Sequence, residues 1–266
     1  MAVTPEWIAI DATTDGLRGW AMNGADVLAG ARAAGAFAPA LAAVLAELPA
    51  AEAAPIIATG VDIPPRMVPC APLPQVLARH GTLRAIPPLA QADPPALSHG
   101  AEARIAGFLA TQPDFDGVVC VIARQTIWAH ISAGEVVSFQ SLLGGALADA
   151  VGGRGGAHDG DAFGDALADI LSRPEKFAAR LASVQAARQL GQIGADAAQS
   201  RINAVLIGAE LAAMRPYWLG QQVAIIGSGA WAQRYADALA AQGAAPQRHD
   251  ADDMALAGLI AAHALA

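Results

Sequence analysis

The stretch IAIDATTDGLRGW, residues 8–20, decides the fold. A short apolar strand over Trp7 to Ile10 ends in Asp11, a polar turn follows from Ala12 to Gly16, and a second strand runs from Leu17 to Met22. Asn23-Gly24 is a two-residue hairpin signal, because the favoured turn needs positive φ at both central positions. Val27 to Ala29 supplies a third short strand, and Phe37, Leu41, Val44, Leu45 and Leu48 then recur at helical spacing. The resulting order is strand, strand, strand, helix.

That order returns later in the chain. Val118 to Val121, Thr126 to Ile131, an Ala133-Gly134 turn, Val136 to Phe139 and a helix over Leu142 to Val151 repeat it, with Trp20 and Trp128 at corresponding places in the second strands. The pattern predicts a duplicated α/β unit. Between the copies, residues 63–95 are rich in proline, which removes backbone donors and forbids regular helix, so loop with short strands is expected. Ser98 is placed to cap a helix that contains Glu102, Ile105, Phe108 and Leu109. Gly152 to Gly160 is glycine-rich, and Asp161 is placed to cap the helix after it. Ile202, Val205, Leu206, Ala209, Leu211 and Met214 form a broad apolar stripe on a core helix that Pro216 stops. Strand Val223 to Ile226, the turn Gly227-Ser228-Gly229, a helix over Ala230 to Ala241 and a final helix complete the chain.

Composition narrows the function. A formal net charge of −8 argues against a broad basic footprint and hence against nucleic-acid binding. Hydrophobic residues make up 55% of the chain, yet alanine supplies much of this and no run approaches the roughly 18 uncharged apolar residues of a spanning helix. The start, MAVTPEWIAID, lacks a basic segment before its apolar residues, so neither export nor membrane insertion is expected and a cytoplasmic location is. Cys70 and Cys120 lack metal-ligand spacing and read as small core residues.

Asp11 at a strand end beside a hydroxyl-rich turn is suited to magnesium and phosphate, because hard cations take carboxylate oxygens and turn amides face oxyanions. A turn-capping aspartate is the bland alternative. Thr13 and Thr14 either contact phosphate or satisfy turn amides, and Arg18 either serves the site or pairs with Asp15. Gly227, Ser228 and Gly229 lie where a helix N-terminus can hold an anion, although any tight strand-to-helix turn favours glycine. Glu102 is a candidate general base or an ordinary first-turn glutamate. Arg124 is a candidate substrate-binding cation or a surface arginine. His158, Asp159 and Asp161 are better explained by a loop entering a capped helix than by a metal.

Residues 8–20 resemble the N-terminal signature I-A-I-D-W-G-T-T-x-x-R-x-W of the 2-dehydro-3-deoxygalactonokinase family, matching at Asp11, Thr14, Leu17, Arg18 and Trp20. VLIGAELAAMRPYW and VAIIGSGAWAQRYADALAAQG are similar to that family's end, with Gly208, Glu210, Arg215, Gly227, Tyr235 and Gly243 in step. The residues around Glu102 resemble its R-G-E-E-T-Q, with Ala101 for the first Glu, and SFQSLLGGAL resembles F-x-T-x-M-T-G-E-L, with Gly144 and Ala146 for Thr and Glu. Its P-G-T-H-S-K-W becomes Ile122 to Trp128, retaining the tryptophan. The resemblance implies two ribonuclease-H-like domains of the actin-like sugar-kinase type, residues 1–97 and 98–266, with a cleft between them. It further implies ATP and Mg2+ as cofactors, a sugar-acid substrate and a place in galactonate catabolism, with Asp11 at the metal. The replaced residues keep a second expectation open, a catalytically weak homologue that binds sugar acid or nucleotide. Homo-oligomerisation also stays open.

Overall fold

The computed structural model of the protein describes residues 4–14, 16–49 and 54–266. β1 (Trp7–Thr13) is buried from Trp7 through Ala12, as a near-continuous apolar run requires of a strand covered on both faces. Its side chains alternate between two cores. Ile8 and Ile10 pack with Val44, Leu48 and Leu83, whereas Trp7 and Ala9 pack with Ile86, Ala103 and Leu259, the period of two that a strand imposes. Asp11 therefore belongs to the face of Trp7 and Ala9.

β2 (Gly16–Asn23) pairs antiparallel with β1, with Ala9 opposite Trp20. β3 (Asp26–Ala33) pairs antiparallel with β2 across the expected turn, where Gly24 has φ 57°. After α1 (Phe37–Glu47), β4 (Ile56–Thr59) lies parallel to β1 and sets Thr59 beside Asp11. The proline-rich segment contains the short strands β5 (Arg66–Met67), β6 (Ala78–His80), β7 (Leu83–Ala85), β8 (Leu89–Gln91) and, just beyond it, β9 (Ala96–Leu97). β6 and β7 extend the first sheet to the order β3-β2-β1-β4-β7-β6, while β5, β8 and β9 form a small sheet of their own.

α2 (Ala101–Thr111) follows, then β10 (Gly117–Ile122), β11 (Thr126–Ser132), β12 (Glu135–Leu142), α3 (Gly144–Val151), α4 (Gly160–Ser172), α5 (Phe177–Gln189), α6 (Ala195–Ala213) and the short α7 (Arg215–Trp218). β13 (Val223–Ile226), α8 (Gly229–Ala240), β14 (Gln247–His249) and α9 (Ala251–His263) end the chain. The second sheet runs β12-β11-β10-β13-β14, so its first four strands repeat the order β3-β2-β1-β4, and the duplication read in the sequence is present in the topology. β14 was not expected. Its three residues are polar and mostly exposed, leaving no apolar pattern to read.

The chain divides into one compact unit of residues 1–116, 129–140 and 250–266 and another of 117–128 and 141–249. A boundary between residues 97 and 98 would have put α2 in the second unit. Packing puts it in the first, because α2 lies along α9, and both helices contribute to the core around Trp7. Gly107 and Gly258 permit this approach. A Cβ at Gly107 would overlap the carbonyl of Met254, and one at Gly258 the carbonyl of Ala103.

Two helix starts differ in detail from expectation. α2 begins after Gly100 at φ 91°, without a cap from Ser98. α4 is capped by Asp159, whose Oδ1 accepts from the Ala162 N–H at 3.0 Å, and Asp161 falls inside the first turn.

Candidate functional site

The face alternation of β1 turns Asp11 toward α2, where Arg104 meets it. Arg104 Nη2 donates to Asp11 Oδ2 at 2.6 Å and Nη1 to Oδ1 at 3.2 Å, a two-point pair with both residues buried. Nη1 also donates to the Gly100 carbonyl at 3.2 Å, so the guanidinium is held from its own helix as well. Such a fork fixes orientation in addition to charge.

Beside this pair, Glu102 is fully buried. Its Oε1 accepts from Thr59 Oγ1 at 2.9 Å, and its Oε2 accepts from Ser98 Oγ at 2.5 Å and from the Gly100 N–H at 3.0 Å. Burial raises its pKa, against the pull of the Ser98, backbone and Thr59 hydrogen bonds. Of the two readings of Glu102, a general base or a first-turn glutamate, these surroundings favour the second. Its partners are hydroxyls and an amide of the chain, and it ties β4 to the start of α2.

A cavity of about 310 Å³ opens at the β1–β2 hairpin, and Asp11, Thr13, Arg18, Arg32, Arg104 and Asp252 are among the residues lining it. Thr13 is exposed and its hydroxyl donates to the Gly16 carbonyl at 3.1 Å. Gly16 has φ 138°, and a Cβ there would overlap the Ala33 carbonyl, so this wall of the cavity requires glycine. Thr14 is exposed in the turn and does not line the cavity. Arg18 forms an ion pair with Asp252 and lies over the Trp20 ring, 4.8 Å from its centroid. Arg32 Nη2 reaches the same Asp252 carboxylate at 2.7 Å. Burial and then the Arg32 charge lower the Arg18 pKa, opposed by Asp250, Asp11 and Asp253. The alternative pairing of Arg18 with Asp15 lies outside the described residues.

Three arginines thus face two aspartates in this cavity. A magnesium ion at Asp11 does not fit the arrangement, since both carboxylate oxygens are engaged by Arg104. Among the described residues, no group of three or more His, Cys, Asp and Glu could hold a metal ion.

The remaining candidates belong to the second unit. Gly227, Ser228 and Gly229 join β13 to α8, with Ser228 at the N-cap position and Gly229 at φ 71°. Gly227 is buried, and a Cβ there would press on Ala232 and Ile122, whereas Ser228 and Gly229 are exposed at the helix N-terminus. Arg124 is exposed in the β10–β11 turn, and its carbonyl accepts from the Ala146 N–H at 2.8 Å.

Two residues of this unit were given no role from sequence. Arg234 on α8 is 2% exposed and donates to the carbonyls of Arg154, at 3.0 Å, and Gly156, at 3.0 Å, so it grips the glycine-rich loop. Burial lowers its pKa. Glu210 on α6 is buried among Thr126, Trp128 and Tyr235, and its Oε1 accepts from Trp128 Nε1 at 2.9 Å. Burial pushes its pKa up to about 7, with Trp128, Tyr235 and Thr126 pulling the other way. A carboxylate inside the apolar stripe of a core helix was the available signal.

The sequence pattern of the family described as 2-keto-3-deoxy-galactonokinase matches residues 11–262. The chain belongs to that family. A curated relative from Rhizobium meliloti (strain 1021), named "Probable 2-dehydro-3-deoxygalactonokinase DgoK1", is 28% identical over 194 residues, covering 68% of this chain and 63% of the relative. The match therefore spans less than two thirds of that relative's length. A crystal structure from Sinorhizobium meliloti, assigned to the 2-dehydro-3-deoxygalactonokinases, superposes with a TM-score of 0.80 at 25% identity, covering 96% of this chain and 97% of that one. The activator of the 2-hydroxyisocaproyl-CoA dehydratase from Clostridium difficile, solved with bound ADPNP, shares the fold at TM-score 0.56 and 11% identity, covering 96% and 93%. The α/β fold is that of the actin-like kinases and ATPases. No helix among the described residues is long and apolar enough to cross a membrane.

Proposed function

We propose that this member of the 2-keto-3-deoxy-galactonokinase family transfers the γ-phosphoryl group of ATP to the terminal hydroxyl of 2-keto-3-deoxygalactonate or a similar sugar acid. The observation that carries the reading is the hairpin cavity, whose Arg18, Arg32 and Arg104 outnumber Asp11 and Asp252. An excess of guanidinium groups suits a carboxylate or phosphoryl oxyanion, which arginine binds in two-point fashion. Arg18 and Arg32, which share a single carboxylate in Asp252, supply the charge for the anion. Asp11, oriented by Arg104, accepts the hydroxyl proton, and Thr13 borders the phosphoryl group. Phosphoryl transfer depends chiefly on such positioning and charge stabilisation. Within the second unit, taken by itself, the start of α8 at Ser228 and Gly229 is of a kind suited to an anion such as a nucleotide phosphate, and Arg124 is an exposed cation. Mg2+ at Asp11 has no part in this reading.

Two observations favour a second reading, a homologue that binds sugar acid with little turnover: Glu102 is enclosed by its own hydrogen bonds, and Asp11 is clamped by Arg104. ADP release with ATP, Mg2+ and 2-keto-3-deoxygalactonate, compared between wild type and Asp11→Asn, separates the two. The kinase reading expects sugar-dependent ADP release that falls by about a hundredfold or more in the variant, the usual scale for a lost proton acceptor. Calorimetric binding of the sugar acid without sugar-dependent ADP release would establish the second reading, and neither binding nor release would sink both.

A further inference from the structure

We propose that Asp11 serves to hold Arg104 and not a divalent cation, so that the fixed positive charge beside β1 is a guanidinium of the chain itself. The inference rests on the kinase reading only in treating the hairpin cavity as the oxyanion site. Its structural basis is independent of that reading. Both Asp11 oxygens accept from the two terminal nitrogens of Arg104, and the same guanidinium is anchored to Gly100 at the start of α2. Asp11 and Arg104 are 2% and 8% exposed, so water cannot readily replace either partner. A small divalent cation such as Mg2+ needs several oxygen donors at short range in near-octahedral arrangement. The other carboxylate lining the cavity, Asp252, is engaged by Arg18 and Arg32.

Counting along the resemblance to R-G-E-E-T-Q from Gly100 places Arg104 where that pattern has a neutral glutamine. A neutral amide leaves a facing carboxylate its full charge for a cation, whereas a guanidinium neutralises it. The register makes the exchange effective, because Asp11 projects from the β1 face that α2 covers, and Arg104 stands one turn into that helix.

The test uses the full chain without nucleotide and Mn2+ as the probe, followed by water-proton relaxation. Wild type and Asp11→Asn are expected to bind Mn2+ indistinguishably. Arg104→Gln is expected to gain about tenfold or more in Mn2+ affinity, the scale on which a neighbour of a metal ligand acts, and Asp11→Asn with Arg104→Gln to lose that gain. Mn2+ binding by wild type that Asp11→Asn weakens by about tenfold or more would overturn the proposal, as would a folded Arg104→Gln protein with no gain. Should Arg104→Gln fail to fold, the comparison of wild type with Asp11→Asn decides alone. No step of this measurement requires turnover, so its failure and that of the kinase reading are told apart.

Discussion

Replacing Glu210 by glutamine should flatten the protein's loss of stability with rising pH. In the folded protein burial lifts the Glu210 pKa from 4.5 to about 7, whereas in the unfolded chain the carboxyl is solvated and titrates at its ordinary value. Below about pH 4.5 both states carry the proton and nothing is lost. Between 4.5 and about 7 the unfolded chain releases its proton while the folded one retains it, so the balance moves toward unfolding as pH rises. Above about 7 both are ionised and the full cost is in place. At about 1.4 kcal/mol per pH unit, the separation is worth about 3 kcal/mol in order of magnitude. Glutamine remains neutral throughout and keeps an oxygen for Trp128 Nε1, the bond that Glu210 Oε1 accepts at 2.9 Å. Guanidinium unfolding followed by tryptophan fluorescence at pH 5 and pH 8 should therefore show Glu210→Gln gaining on wild type by up to about 3 kcal/mol between the two conditions. A difference between the proteins that is the same at both pH values would refute the reasoning.

Asp11→Asn and Arg104→Gln should each cost about 3–5 kcal/mol in the same unfolding experiment, because each leaves a buried charge without its partner. The double variant should cost less than the sum, and strict additivity would show that the pair is not coupled. Gly258→Ala should lower stability by about 1–3 kcal/mol, since its Cβ must push against the Ala103 carbonyl across the α2–α9 contact. A thermal midpoint equal to that of wild type would remove this account of the helix packing. Arg234→Met takes away the donors that hold the carbonyls of residues 154–156. Backbone amides of that loop should then exchange with deuterium faster while those of β10 and β13 do not, and unchanged loop exchange would show that something else secures it.

The hairpin at residues 7–33 was legible because its signals are local: an apolar run, a polar turn and Asn23-Gly24. The second copy was legible through the same alternation and the matching position of Trp128, and the strand at Val223–Ile226 appears with the expected bounds. Asp11, Thr13 and Arg18 do come together at one cavity. Their partners were hidden, since Arg104 and Asp252 reach the cavity from distant stretches of chain through the covering of β1 by α2 and α9. Glu102 was legible as a first-turn glutamate, but its enclosure depends on Thr59 and Ser98, which neither spacing nor period relates to it. The compact units differ from the division expected at residue 97 for a similar reason, because a proline-rich stretch marks irregular backbone and says nothing of which core the next helix joins.

The position of α9 has a consequence for how the protein is made. Leu259 and Ala262 on that helix complete the core around Trp7 and Ile57, yet the ribosome delivers them after the entire second unit. Until then the nascent first unit carries an uncovered apolar face on β1, β4 and α2. Nascent chains generally fold domain by domain from the N-terminus, but here that order favours the second unit, with the first finished last.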